Sequence, residues 1–196
     1  MLSAAAAATP QPVAGDCAGA GPEQPSRCIY RAAFPSTGLV SHCRTDRDCQ
    51  VGYYYGDPEK PVWLEPPPGI ATLPRPEVIW HEAAFAEVRF DTSSGPVSYF
   101  FEAKRRQLSR PLPDVLAADT HRHLMAQAAG RALVVRQIFS GREVLRVERD
   151  WAAGSALRDA ITAIHFDPDT RLTISYLRGV AREAVTERIS VPGVPR

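Results

Sequence analysis

The sequence predicts a mainly β protein, an antiparallel sheet of sandwich or barrel-like form with one or two short helices, organised as a single domain over residues 27–196 behind a leader of residues 1–26. Three observations carry this. Short apolar runs at 28–34, 38–43, 50–55, 61–65, 78–91 and 96–104 are separated by turn-forming residues, the spacing of an antiparallel meander. Strict alternation appears where Ala84, Ala86, Val88 and Phe90 interleave with Phe85, Glu87, Arg89 and Asp91. Helical periodicity is confined to two short stretches. At 196 residues, 44% hydrophobic and 23% charged, the chain is large enough for one packed core and is not compositionally disordered.

Residues 1–26 are rich in Ala, Pro and Gly without periodicity, and MLSAAAAATP resembles the end of a signal peptide with a small-residue cleavage site near Ala8. Export to the periplasm or beyond is the expectation. A lipidated cysteine is not expected, because Asp16 sits directly before Cys17. All four cysteines, Cys17, Cys28, Cys43 and Cys49, fall in the first quarter, and this even cluster suits two disulfides in an oxidising compartment. A zinc site is the rival, but no CxxC pair is present. Three connectivities are open. If the segments around Cys28 and Cys43 pair through the turn Pro35-Ser36-Thr37-Gly38, those two cysteines meet and Cys17 is left for Cys49.

The Pro-rich stretch 66–76 reads as an extended connection across the sheet. A hairpin follows, with Thr92-Ser93-Ser94-Gly95 as its turn and Val97, Tyr99 and Phe101 sharing a face of the second strand. Residues 114–129 are expected as a helix after Pro113 with Asp114 as cap, and 155–164 as another, carrying Leu157, Ala160, Ile161 and Ile164. A second hairpin runs through Leu133, Val135 and Phe139, turns at Ser140-Gly141 and returns through Val144–Val147. A third runs through Ile164 and Phe166, turns at Asp167-Pro168-Asp169 and returns through Leu172, Ile174 and Tyr176. Val185, Glu187, Ile189 and Val191 alternate as a last strand.

The segments CIYRAAFPSTGLVSHC, VGYYYGDPEKPVWLEP, FAEVRFDTSSGPVSYFF and ALVVRQIFSGREVLRVERD resemble a group of small, uncharacterised, β-rich exported proteins of Gram-negative bacteria, over about residues 28–150. Cys17, Cys49 and the strands after Leu172 depart from that pattern. The resemblance implies an envelope location and a closed or sandwiched antiparallel sheet, and supplies no activity.

Catalytic constellations are near misses. His81-Glu82-Ala83-Ala84-Phe85 begins like HExxH, but Phe85 replaces the second histidine. Asp167-Pro168-Asp169-Thr170 resembles an aspartyl phosphotransferase loop and reads more simply as a β-turn. Asp119, His121 and His123 would share a face only on a strand, and Gln127 stands where a cupin-like site needs glutamate. No GxSxG, GxGxxG or Walker loop is present. No catalytic residue, metal or cofactor is therefore expected. A net charge of +1 offers no field for nucleic acid, and no apolar segment is long enough to span a membrane.

The aromatic set Tyr53, Tyr54, Tyr55, Trp63 and Trp80 is either sheet packing or a stacking platform, with Tyr54 projecting opposite Tyr53 and Tyr55. The basic cluster Lys104-Arg105-Arg106 with Arg110 reads as a solvated strand end. Tyr54, Asp57 and Trp63 are the candidate partner contacts. The function expected is that of a non-enzymatic extracytoplasmic binding protein whose partner is another protein, such as an inhibitor or immunity-like protein acting on an envelope-directed enzyme. The alternative is an exported hydrolase of unrecognised type, identified by a deep pocket where His81, His121, His123 or His165 meets a carboxylate.

Overall fold

Residues whose apolar side chains alternate with polar ones can bury one face of an extended chain, and β-branched and aromatic residues fit that pleated surface best. The structure, a computed structural model, describes residues 13–18, 25–33, 36–152 and 156–193. Among them regular structure is almost entirely antiparallel strand, so the protein is mainly β. The contacts define two compact units, one from Met1–Phe90 and Phe101–Gln107, the other from Asp91–Phe100 and Leu108–Arg196.

In the first unit β1 (Asp16–Ala18), β2 (Ser26–Arg31), β3 (Thr37–Thr45), β4 (Asp48–Tyr55) and β5 (Val62–Trp63) form a five-stranded meander in chain order. Tyr30, Leu39, Val40, Val51 and Tyr54 are buried in it. Gly38 fits because a side chain there would meet the hydroxyl of Tyr54, its cross-strand partner, at 2.7 Å. The proline-rich stretch returns along the start of β4 and the turn before it: the Cys49 N–H donates to the Leu73 carbonyl at 2.8 Å, and Arg75 N–H to that of Asp46 at 2.8 Å. The run expected as one strand over 78–91 is instead two, β6 (Glu77–Glu82) and β7 (Phe85–Thr92), paired antiparallel. The small Ala83-Ala84 turn, with a register irregularity between Trp80 and Glu82, reverses the chain where alternation alone shows no break.

The disulfides correct the expected pairing: they join Cys17 to Cys28 and Cys43 to Cys49. The reason is register. The β2–β3 hairpin forms as expected, but it sets Cys28 opposite Ser41 and Cys43 opposite Ser26, so the two cysteines are offset diagonally. Cys17 lies directly across from Cys28 because Asp16–Ala18, within the stretch read as leader, forms β1. Cys43 lies directly across from Cys49 in β3–β4. The signal-like residues 1–12 and Pro35 of the expected turn lie outside the described residues.

The second unit takes most of β8 (Gly95–Glu102), which follows β7 after the two-residue turn Ser93-Ser94, and continues past β9 (Gln107–Leu108) to β10 (Leu112–Pro113), paired with β8. The Thr92 hydroxyl donates to the Gly95 carbonyl at 2.6 Å and closes the turn. A four-stranded meander follows, β11 (Val115–Asp119), β12 (Leu124–Ala129), β13 (Ala132–Gln137) and β14 (Glu143–Glu148), and then a three-stranded one, β15 (Ile161–Phe166), β16 (Arg171–Arg178) and β17 (Glu183–Ser190). The hairpins expected at 133–147 and 164–176 and the last strand are present. Leu124, Leu133, Val135 and Val147 of one meander share a core with Leu172, Ile174 and Tyr176 of the other and with Trp151 between them in sequence.

Both expected helices are corrected. Residues 114–129 form β11 and β12, not a helix. Asp114 has φ 51 and its carboxylate meets Arg158 at 3.3 Å, so it caps nothing, and His123 has φ 52 in the turn between the strands. Leu124, Met125, Ala126 and Gln127 are consecutively buried, which a strand enclosed on both faces allows and a one-sided amphipathic helix does not. Of the helix expected over 155–164 only α1 (Leu157–Ala160) forms, without a side-chain cap. Leu157 and Ala160 are buried in the core, while Ile161–Phe166 is drawn into pairing with β16.

Candidate functional site

In an antiparallel sheet directly opposed residues point to the same face, so register decides which side chains gather. Arg27 stands opposite His42, and His42 opposite Gln50. This row crosses β2, β3 and β4 on the face away from the disulfides. With Arg44 and Asp48, two positions along their strands, it lines a groove of about 640 Å³. Trp63 of β5 is opposite Gly52 on the same face, and its ring lies 5.1 Å from the His42 imidazole, tilted 55°. Glycine at 52 makes room for it: a Cβ there would sit 3.0 Å from Trp63 Cε3 and 2.9 Å from the Val62 carbonyl. Trp63 nevertheless keeps 39% of its surface exposed and Val62 53%.

Arg27 is held through one end of its fork. Its Nη2 donates to the Pro58 carbonyl at 3.0 Å and meets Glu59 Oε1 at 2.7 Å. Arg44 and Asp48 approach to 3.7 Å. Partial desolvation, then the Arg27 charge, hold the His42 pKa below the ordinary histidine value against the opposing pull of Glu59. The imidazole is accordingly neutral at pH 7, offering one donor and one acceptor. The site offers the means of recognition: an aromatic face, a neutral imidazole, an amide and guanidinium groups stand at a wet opening, and the buried Ser26 hydroxyl on its lining accepts from Arg75 Nη2 at 3.3 Å.

The three expected contacts separate. Trp63 is exposed in this site. Tyr54 does project opposite Tyr53 and Tyr55, but it is 3% exposed, packed over Gly38. Asp57 shapes a turn, its Oδ1 accepting the Glu59 N–H at 2.9 Å. The other aromatics do not form one platform. Tyr53 and Tyr55, on the disulfide face of the sheet, pack on Phe101 at 5.3 and 5.9 Å, and Trp80 lies half-buried in β6. Arg27, His42, Arg44 and Gln50 were not singled out by sequence; a register-aware reading of 27, 42 and 50 would have found them.

The near-miss motifs find structural employment. His81 Nε2 lies 3.1 Å from Glu87 Oε2, and Glu87, 2% exposed, also accepts from Arg89 Nη2 at 3.0 Å and Nε at 3.2 Å. Phe85 is buried, 6.5 Å from the His81 ring. Asp167 is the second such hub: it receives the Thr173 hydroxyl at 2.8 Å, Arg188 Nε at 3.1 Å and His165 Nε2 at 3.1 Å. His121 and His123 stand in the turn 120–123 rather than on a strand, His123 edge-on to Phe139 at 5.3 Å. Among the described residues no group of three ligating side chains could hold a metal, and no helix is long and apolar enough to cross a membrane.

Burial pushes the Asp167 pKa up, but Thr173, Arg188 and His165 together outweigh it and hold the carboxyl below its usual 3.8. Folding therefore favours the ionised form, so this stabilisation is complete above about pH 4 and is lost as pH falls through the lower folded value. Asp167→Asn is expected to lower the melting temperature at pH 7 and to narrow its deficit as pH approaches 3. A constant deficit across that range would show that the charge is not responsible.

No model of a known protein family matches this chain, and none of the curated proteins matches it.

Proposed function

We propose that this chain is a non-enzymatic binding protein that works outside the cytoplasm and takes another protein as partner, in the manner of an inhibitor or immunity-like protein blocking an envelope-directed enzyme. The observation that carries it is Trp63, a large aromatic left 39% exposed beside the His42 ring at the edge of the Arg27–His42–Gln50 groove. An exposed tryptophan next to guanidinium groups is the composition of an energetic centre in protein interfaces. The two disulfides staple the strands beneath the groove, so it is presented in one conformation at little ordering cost on binding. They also suit an oxidising compartment, in agreement with the exported proteins the sequence resembles.

The hydrolase alternative gains little from the histidine–carboxylate pairs. Glu87 and Asp167 are each saturated by arginine and further donors, and neither pair lines the groove.

The test is capture from the periplasmic fraction of the source bacterium with the intact chain, followed by an activity assay on the captured enzyme. Wild type should lower that activity, and Trp63→Ala should weaken binding by about 2 kcal/mol, some thirtyfold. Equal binding by wild type and Trp63→Ala would place the interface elsewhere. A captured enzyme whose activity is unaffected would overturn the inhibitor reading.

A further inference from the structure

Elsewhere in the first unit, a pocket of about 420 Å³ lies between Ser36-Thr37, Tyr55-Gly56 and the turn that carries Ala103, Lys104 and Arg106. Its composition is one-sided. Two cations and three hydroxyl-bearing residues line it, and no carboxylate does among the described residues. Other arginines of this unit meet acids, Arg27 with Glu59, Arg75 with Asp46, Arg89 with Glu87 and Arg105 with Glu102, whereas neither Lys104 nor Arg106 meets a carboxylate among the described residues. The Arg106 guanidinium instead lies over the Tyr55 ring, 4.8 Å from its centroid. Arg106 itself is held at φ 53, a left-handed conformation that turns its side chain back over the strand.

Beneath it the Tyr55 hydroxyl is shielded from solvent and has no hydrogen-bond partner among the described residues. Buried hydroxyls are nearly always paired, so this one lacks an acceptor that the protein's own described groups do not supply. Burial, then the neighbouring Tyr53, raise the Tyr55 pKa to about 12 against the pull of Arg106, which keeps the phenol a donor at any physiological pH.

We propose that this pocket binds a phosphate group, with Lys104 and Arg106 neutralising its charge and the Tyr55 hydroxyl as a third donor. Arg106 swings from the ring onto the anion, exchanging a weak cation–π contact for a charge-assisted hydrogen bond and uncovering the phenol. A phosphate carries up to two negative charges, matching the two cations, where a carboxylate leaves one unmatched. The cavity exceeds a bare phosphate, so an organic remainder is accommodated. Both a soluble phosphomonoester and a phospholipid headgroup have this chemistry.

Binding of the full chain to inorganic phosphate and to glycerol phosphate is measured by calorimetry, with acetate at equal ionic strength as comparison, and to vesicles containing phosphatidylglycerol by flotation. Saturable phosphate binding is expected, with Lys104→Ala and Arg106→Ala each weakening it about tenfold or more, Tyr55→Phe about threefold, and Lys60→Ala leaving it unchanged. Binding of the soluble ester assigns a free solute; Lys104-dependent binding of vesicles alone assigns a headgroup. Lysine acetylation read by peptide mass gives a second measurement on the unaltered chain, since Lys60 and Lys104 are the only lysines: phosphate should shield Lys104 and spare Lys60. Acetate binding as tightly as phosphate, or binding indifferent to both cation substitutions, or no shielding of Lys104 by either phosphate or the vesicles, would overturn the proposal.

Discussion

Trp151→Ala is expected to lower the unfolding free energy by about 3–5 kcal/mol, a large share of what a domain of this size holds. Trp151 is 2% exposed and sits where the inward residues of the two meanders of the second unit meet. Its indole N–H donates to the Arg131 carbonyl at 2.7 Å, and its ring stands edge-on to Tyr176 at 4.8 Å. Alanine removes the apolar area, opens a cavity and loses the hydrogen bond to the Arg131 carbonyl, three losses of one sign. Trp151→Phe keeps most of the area and should cost about half as much, since only the hydrogen bond and part of the volume go. Denaturant melts of the two variants measure the difference. Equal losses would mean that the hydrogen bond, not burial, dominates.

The disulfides should have the next largest effect. Loop entropy alone gives about 2–3 kcal/mol for each, and slightly more for Cys17–Cys28, whose cysteines are 11 residues apart, than for Cys43–Cys49, which are 6 apart. Cys17→Ser with Cys28→Ser should also release β1, which among the described residues pairs with β2 alone, so hydrogen exchange at Asp16–Ala18 and along β2 should accelerate. Cys43→Ser with Cys49→Ser leaves the long β3–β4 ladder to hold its own register and should lower stability without local fraying. Peptide mapping without reductant must recover the 17–28 and 43–49 pairs. Recovery of 28–43 or 17–49 would contradict the register described above.

Strand content was legible wherever one face is buried and the other wet, as in β16, where Leu172, Ile174 and Tyr176 are buried and Thr173 and Ser175 are not. It failed where both faces are enclosed. At 124–127 four consecutive residues are buried, the polar Gln127 among them, so no two-residue alternation marks the strand, and spacing suggested a helix that the positive φ of Asp114 and His123 excludes. The disulfide pairing was misread for a related reason. Composition identifies a hairpin but not its register, and a two-residue offset separates Cys28 from Cys43. At the groove, Trp63 could be chosen from its chemistry alone. His42, Arg27 and Gln50 could not, because they become neighbours only after three strands align. Tyr54 shows the converse: alternation correctly sent it to the opposite face from Tyr53, and Gly38 opposite then drew it into the interior.

Strand order in these sheets also bears on how quickly the chain organises. In β1–β5, β11–β14 and β15–β17 every strand pairs with its neighbour in sequence. Such pairings close short loops, so little chain entropy is lost before each ladder begins to form, and folding rates rise as the mean sequence separation of contacts falls. Each meander can therefore grow by successive hairpins instead of waiting for distant segments to meet. The same locality brings Cys43 and Cys49 together across one tight turn as soon as β3 and β4 zip, so this pair can oxidise before the rest of the sheet is complete.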